Sequence, residues 1–375
     1  MHVDVVFTLT GDIRWNSRAL KQLRLMSGMG LSVYAVGIAN KSTGIQQGDG
    51  ITIRTLKRPI GSGPRFFKRV HKLMVEAIQE VPASIYHASD LYTLPAQATL
   101  AKQHRAKLVY DARELYPHVA STQGRPWTRW FWHVLEWRYC RRADLVSTVS
   151  PSIADRMRST YRIKRPVVLY NVPEFKSVEP SDIIRNTLGI HPGTCVILHQ
   201  GNVQKDRGCF VLAKAMRQVE GAVLVFLGDG PLKGQLKDHV AKEGLADRVR
   251  FISKVDPSVL LDYTASADIG VTLLEDTCLN HRFALPNKLF EYLMAGLPVL
   301  ASVLPEIRKV VNRFEVGELV HPSSPDSVAT GLMKLVADAE LRNSYKQNIP
   351  AVFETFSWEQ ASQEYVSRYK ELLSR

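Results

Sequence analysis

Asn280-His-Arg-Phe-Ala-Leu-Pro-Asn-Lys-Leu-Phe-Glu-Tyr-Leu-Met-Ala-Gly-Leu-Pro-Val-Leu-Ala-Ser302 decides the reading of this chain. It reads as loop, helix, tight turn and buried strand. Pro286 suits the first helical position, where its missing N–H costs nothing. Gly296 suits the C-terminal cap, with Pro298 just beyond it. Val299, Leu300 and Ala301 form a short apolar strand. A helix that starts straight after a loop offers free N–H groups and a positive dipole end to an anion. Lys288 adds a full charge in the first turn. Glu291, a little over one turn along, is an acceptor suited to a pair of hydroxyls. The spacing suits a phosphate at the helix start with a ribose beside it. The same residues also suit an ordinary amphipathic helix with exposed charges.

Working outward, the 375 residues exceed one ordinary core, so two domains are expected. Strand patterns at 3–9, 32–38, 51–56, 85–87, 107–110, 145–149 and 167–170 alternate with helical ones at 16–29, 65–80, 94–104, 128–142 and 152–160. A Pro-, Ser- and Glu-bearing loop at 172–181 follows, and the rhythm restarts. Strands are expected at 195–199, 223–227, 249–252, 269–272, 299–301 and 317–320. Helices are expected at 208–217, 232–243, 258–265, 286–295 and 326–337. Such alternation predicts an α/β protein with two parallel, doubly wound sheets. Ligands of such sheets bind beyond the strands' C-terminal ends. Domain boundaries are expected at 1–175 and 176–355, with an amphipathic C-terminal helix within 356–375.

No run of about 18 apolar residues marks a spanning helix. The opening residues 2–7, with Asp4 inside, read as a strand, not as a signal peptide. Cys140, Cys195, Cys209 and Cys278 are scattered, which fits a reducing, cytoplasmic setting and argues against structural zinc. No Asp-x-Asp, His-Glu-x-x-His or Walker pattern occurs. The net charge of +13 is lopsided. Residues 1–175 hold 26 Lys+Arg against 12 Asp+Glu, net +14; residues 176–375 hold 23 against 24, net −1. The first half therefore expects an anionic partner: an anionic membrane surface or a phosphorylated acceptor. Nucleic acid is not expected, because no recognition motif accompanies the charge.

The 280–302 segment resembles the donor-site helix of retaining glycosyltransferases of family 4, which have the GT-B fold. Residues 285–299 follow that family's Leu-Pro-x-Lys-Leu-Phe-Glu-Tyr-Met-Ala-Ala-Gly-x-Pro-Val nearly residue for residue. Of the family's two spaced glutamates, Glu291 matches the second, and Phe283 stands where the first would fall. The resemblance runs nearly the whole chain in order. Leu198-His-Gln-Gly-Asn-Val-Gln-Lys-Asp-Arg-Gly208 is similar to the family's Gly-Arg-Leu-x-x-x-Lys-Gly loop, which includes Gly201. Arg207 takes the place of the phosphate lysine, and Asn202 replaces an arginine, a lost charge for which Lys205 is a candidate substitute. Phe226-Leu-Gly-Asp-Gly-Pro231, with Gly228 and Gly230, resembles the family's Gly-x-Gly-Pro turn. The stretches 249–255 and 260–270 follow, and imply backbone at Ser253 and Lys254 beside the nucleobase. Glu275 and Asp276 are either a solvated loop or contacts to the transferred sugar.

In the first half, Asp111-Ala-Arg-Glu-Leu-Tyr-Pro117 resembles the Asp-x-His-Glu-(Leu/Tyr)-(Phe/Tyr)-Pro motif of this branch. Arg113 stands where the branch has a histidine beside the anomeric carbon, and Glu114 and His118 lie close by in sequence. An arginine does not shuttle protons near neutral pH. Tyr86-His-Ala-Ser-Asp90 is similar to the family's His-Ala-His-Asp, which makes His87 and Asp90 candidates; His87 equally suits a core histidine. Asp12 and Arg14 open the first helix in a form similar to the branch's Asp-x-Arg-Val-x-Arg-Glu. The 127–142 helix holds four of the six tryptophans and suits either core packing or contact with a membrane.

The resemblance implies a GT-B fold: two Rossmann-like domains facing across a cleft, the C-terminal helix crossing back to the first. It implies a retaining, metal-independent glycosyltransferase with no cofactor beyond its nucleotide sugar, UDP-linked rather than GDP-linked. Arg207, Lys288 and Glu291 would be the catalytic set. Residues 285–287 (Leu285, Pro286, Asn287) would line the donor site. The acceptor would be a glycan or lipid-linked sugar of polysaccharide or lipopolysaccharide synthesis, at the inner face of the plasma membrane. A nucleotide-sugar 2-epimerase or a non-catalytic binding subunit on the same fold are the alternatives.

Overall fold

The computed structural model describes residues 2–374 apart from 43 and 62. The chain divides into two compact units, Met1–Tyr170 with Ala361–Arg375, and Asn171–Gln360. The division falls at 170/171, where the sequence reading put it at 175/176.

The first unit is built on strands β1 (Val3–Leu9), β2 (Val33–Ala39), β3 (Gly44–Gly48), β4 (Ile51–Lys57), β5 (Ala83–Ala88), β6 (Lys107–Ala112), β7 (Leu145–Thr148) and β8 (Val167–Val168). They lie in the order β3-β4-β2-β1-β5-β6-β7-β8, parallel except for β3. Helices α1 (Ser17–Gly28), α2 (Gly63–Ile78), α3 (Leu94–His104), α4 (Pro126–Cys140) and α5 (Pro151–Tyr161) connect them. β1 and β5 are almost wholly buried, with Val5, Val6, Phe7, Ile85 and Tyr86 out of solvent. Continuous Val/Ile/Tyr runs of this kind suit a sheet covered on both faces.

The second unit has β9 (Cys195–Gln200), β10 (Ala222–Leu227), β11 (Val249–Ile252), β12 (Ile269–Thr272), β13 (Val299–Ser302) and β14 (Gly317–Val320), all parallel, in the order β11-β10-β9-β12-β13-β14. Its helices are α6 (Ile183–Leu188), α7 (Cys209–Ala215), α8 (Lys233–Lys242), α9 (Leu260–Thr264), α10 (Leu279–Arg282), α11 (Asn287–Met294), α12 (Pro305–Phe314), α13 (Pro325–Ala337) and α14 (Ala339–Thr355). In both sheets the chain first builds one way from a central strand and then the other. That reversal leaves a crevice at the strands' C-terminal ends: between β1 and β5 in the first, and between β9 and β12 in the second. The last helix, α15 (Trp358–Leu373), begins in the second unit and from Ala361 onward belongs to the first. There Tyr365 and Tyr369 are fully buried, Tyr369 against Met26 and His87.

Gly270 explains how α11 lies so close on β12. A Cβ there would sit 2.3 Å from the Tyr292 ring. No side chain larger than hydrogen fits without moving the helix.

Candidate active site

β9 ends at the crevice of the second sheet in Gln200, and this residue ties the site together. Its backbone N–H donates to the Tyr292 hydroxyl (2.8 Å), which donates onward to the Val271 carbonyl (3.0 Å). Its side-chain amide donates to Glu291 Oε2 (2.5 Å), and its side-chain oxygen accepts from Thr264 Oγ1 (2.7 Å). Glu291, on α11, is thus oriented through one carboxylate oxygen by a residue of strand β9. In the sequence Gln200 carries no motif of its own. Its only signal there is its place at the end of an apolar strand, just before Gly201.

α11 begins at Asn287, with Pro286 extended (φ −75°, ψ 140°) as its N-cap, one residue later than the sequence reading placed the start. The first helical N–H groups therefore belong to Asn287 and Lys288. Lys288 is half-buried, and no carboxylate pairs with it among the described residues. Burial and the Arg207 charge push its pKa down to about 8, against an upward pull from Glu291. The same two cations, with burial acting first, hold His199 well below its ordinary value, so this fully buried imidazole is neutral. His199 Nε2 lies 3.6 Å from Cys209 Sγ, and its Nδ1 has no protein partner. Lys288 and Arg207 thus gather beside a neutral imidazole, with the Glu291 and Glu275 carboxylates close by.

Arg207 precedes α7, whose N-cap Gly208 has φ +64°. The Gly208 N–H donates to Glu275 Oε1 (3.1 Å), so Glu275 fixes this loop, while Asp276 pairs with Arg282 (3.2 Å). Gly201 and Asn202 are exposed directly after β9. Gly228 follows β10 with φ +143°, and a Cβ there would meet the Gly201 carbonyl at 2.2 Å; at Gly230 it would meet the Val203 carbonyl at 2.3 Å. Side chains at either glycine would push the two loops apart. Ser253 and Lys254 follow β11. The Lys254 N–H donates to Asp229 Oδ2 (3.0 Å), and Asp229 also pairs with Lys233 (2.6 Å). That donor, expected beside a base, is already used inside the protein.

The first unit's candidates sort differently. Asp111, fully buried, is gripped by Arg18 through Nε (2.8 Å) and Nη2 (2.7 Å) and accepts from Ser147 (2.8 Å) and Gln22 (3.2 Å). These partners hold its carboxyl well below the usual range despite burial. Arg113 leans on the same carboxylate (3.4 Å) and donates to Asn16 (2.9 Å) and Ser89 (2.8 Å). It is pinned in place at the ends of β5 and β6. Two candidates are held within the first sheet. Asp90 accepts from the backbone of Thr10 (2.5 Å) and Thr93 (2.9 Å) and from the Thr10 hydroxyl, which stitches β1 to β5. His87 is fully buried between Phe7 and Tyr369, its pKa pushed down to about 3 by burial. Asp12 and Arg14 pair with each other (2.6 Å) and line a cavity of about 430 Å³ with Lys41 and Arg58. Glu114 is exposed; His118 lies in a short 3-10 turn, pushed down to about 4 by burial and nearby arginines.

Residues 22–172 match the family model "Glycosyltransferase Family 4", and residues 180–352 match "Glycosyl transferases group 1". The chain belongs to the family 4 glycosyltransferases and has the GT-B fold. An uncharacterized glycosyltransferase of Methanocaldococcus jannaschii is 26% identical over 250 residues, 64% of this chain and 63% of that protein. The match thus spans less than two thirds of that relative's length. Among solved structures, sucrose-phosphate synthase from Thermosynechococcus elongatus superposes with a TM-score of 0.82 at 18% identity, over 99% of both chains. HepE of Anabaena in complex with UDP gives 0.75 at 16%, over 98% of this chain and 100% of that one. At these identities the structures speak for the fold. Among the described residues, no helix of the glycosyltransferase is long and apolar enough to cross a membrane.

Proposed function

We propose that this glycosyltransferase is a retaining, metal-independent enzyme that moves a sugar from a nucleotide sugar to a glycan or lipid-linked acceptor. The observation that carries the proposal is Lys288. It is a half-buried cation with no carboxylate ion pair among the described residues, at the start of α11, one turn before a glutamate already oriented by Gln200. A nucleoside diphosphate fits both features. Its pyrophosphate would take the α11 N–H groups, Lys288 and Arg207, and its ribose hydroxyls would reach Glu291. As the sugar–phosphate bond breaks, both electrons of that bond go to the departing phosphate. Arg207 and Lys288 stabilise that growing charge, which is the main source of rate. The same phosphate accepts the acceptor's proton, so no protein nucleophile is needed. Arg113, held by Asn16, Ser89 and Asp111, orients rather than titrates. A UDP-linked donor is favoured over a GDP-linked one, in line with the UDP bound by HepE. The basic first unit suits an anionic acceptor, as in cell-surface polysaccharide or lipopolysaccharide synthesis, at the cytoplasmic face of a membrane.

The test is nucleoside diphosphate release from UDP- and GDP-sugars, with and without phosphorylated and lipid-linked sugar acceptors. NMR of the product then gives its anomeric configuration. Acceptor-dependent release with the donor's configuration kept supports the proposal. An inverted product removes the retaining claim. A UDP-sugar altered without any acceptor would instead mark an epimerase.

A further inference from the structure

Helix α4 has two faces of opposite fate. Its inner face packs: Phe131 and Trp132 meet Phe67 of α2 at ring distances of 5.7 and 5.8 Å, and Trp132 meets Tyr92 at 4.9 Å. Its outer face does not. Trp127 is 82% exposed, Trp130 61% and Trp137 42%. Positions 127, 130, 134, 137 and 141 recur at helical spacing, so the three indoles, Val134 and Arg141 form one stripe. Arg141 lies over the Trp137 ring at 5.0 Å. Three exposed tryptophans in line are far from the usual scatter of single apolar side chains on a soluble surface.

The charge along α4 itself is basic, although Arg141 at its end shares a cavity with Asp144, Glu364 and Glu371. Arg125, Arg129, Arg138, Arg141 and Arg142 are all exposed along or beside α4. The helix's one acid, Glu136, is fully buried and accepts from Tyr110 (2.7 Å) and Tyr161 (2.6 Å). Neighbouring α2 adds exposed Arg65 and Lys68. Tryptophan prefers the level of lipid headgroups, and arginine pairs with lipid phosphate. We propose that the α4 stripe docks this glycosyltransferase on an anionic lipid surface, with Trp127, Trp130 and Trp137 entering the headgroup layer and the flanking arginines on lipid phosphates. α4 follows the 111–117 segment closely in the chain and packs on it through Tyr116 and Trp132 (6.3 Å). Docking would therefore bring a lipid-linked acceptor to the residues around Arg113. What the docking serves rests on the proposed transferase reading; the surface itself does not.

The experiment is co-sedimentation of the full chain with vesicles of phosphatidylcholine alone or mixed with phosphatidylglycerol. It is run on wild type, on Trp127→Ser/Trp130→Ser/Trp137→Ser and on Arg129→Glu/Arg138→Glu. UDP titration of each protein is the control. Wild type should sediment only with the anionic vesicles. Both variants should partition about tenfold less while binding UDP unchanged. No sedimentation of wild type overturns the proposal, as does a tryptophan variant that sediments like wild type. A wild-type dimer in the absence of vesicles that the tryptophan variant converts to monomer also overturns it, and makes the stripe a self-association surface. Loss of UDP binding in every protein, with sedimentation intact, would sink the donor assignment and leave the docking surface standing.

Discussion

Lys288 makes a prediction that an inert surface lysine does not. Burial and Arg207 place its pKa at about 8, against an ordinary 10.5. Only the protonated form attracts a pyrophosphate, and a bound pyrophosphate raises the lysine's pKa again. Binding is therefore at full strength below pH 8 and weakens as pH rises through 8. Between pH 7 and 9 the protonated fraction falls about tenfold, so the dissociation constant should rise about tenfold, or about 1.4 kcal/mol. The phosphate's own last proton, with a pKa near 6, is already gone in this range. His199 and His281 are held below their ordinary value and do not titrate there. The assay is calorimetric titration of UDP at several pH values, in two buffers of different ionisation heat. Above pH 8, binding should take up close to one proton; at pH 6.5 none through this lysine. Lys288→Arg keeps the charge but cannot titrate, and its profile should be flat. A flat wild-type profile, or the same slope in Lys288→Arg, would refute the placement of Lys288 against the pyrophosphate.

Two further outcomes follow from named contacts. Glu291→Gln should weaken nucleotide binding by about 1.5–3 kcal/mol for a lost charge-assisted bond, with the fold intact. Gln200→Ala, which removes one hydrogen bond to the carboxylate, should weaken it less; calorimetry and circular dichroism together check both. Asp111→Asn should destabilise the first unit by about 3–5 kcal/mol, because Arg18 stays buried with its partner's charge removed. Urea unfolding reads this, and an unchanged midpoint would show that the Arg18–Asp111 pair contributes nothing net.

The parallel strands were legible because each is a short Val/Ile/Leu run between turn signals. β11, β12 and β14 begin and end where the pattern placed them. β3 was not, since Gly44–Gly48 is polar and exposed along its whole length. Its signal lies in the turn after it: Asp49 and Gly50 both take positive φ, the Asp-Gly hairpin signature. α12 was missed although Ile307, Val310, Val311 and Phe314 recur at helical spacing. α14 was missed because Pro350 lies inside it, and a proline argues against a helix interior. At the site, Lys288, Glu291 and Arg207 were readable because they sit within one stretch or one loop. The roles of Gln200 and Asp90 were not, and the sequence left His87 open between core and site. Gln200 reaches Glu291 across 91 positions, Asp90 reaches Thr10 across 80, and His87 meets Tyr369 across 282. No local pattern encodes such pairings.

The donor site proposed for this chain is the start of α11 with Glu291, holding a nucleoside diphosphate. Calorimetric titration of the full chain with UDP, GDP and ADP tests it most directly, on wild type and on Lys288→Ala/Glu291→Gln. One bound nucleotide per chain is expected, UDP tightest, with at least about tenfold weaker binding in the double variant. Binding of the same strength in the double variant, or no binding of any of the three by wild type, would contradict it.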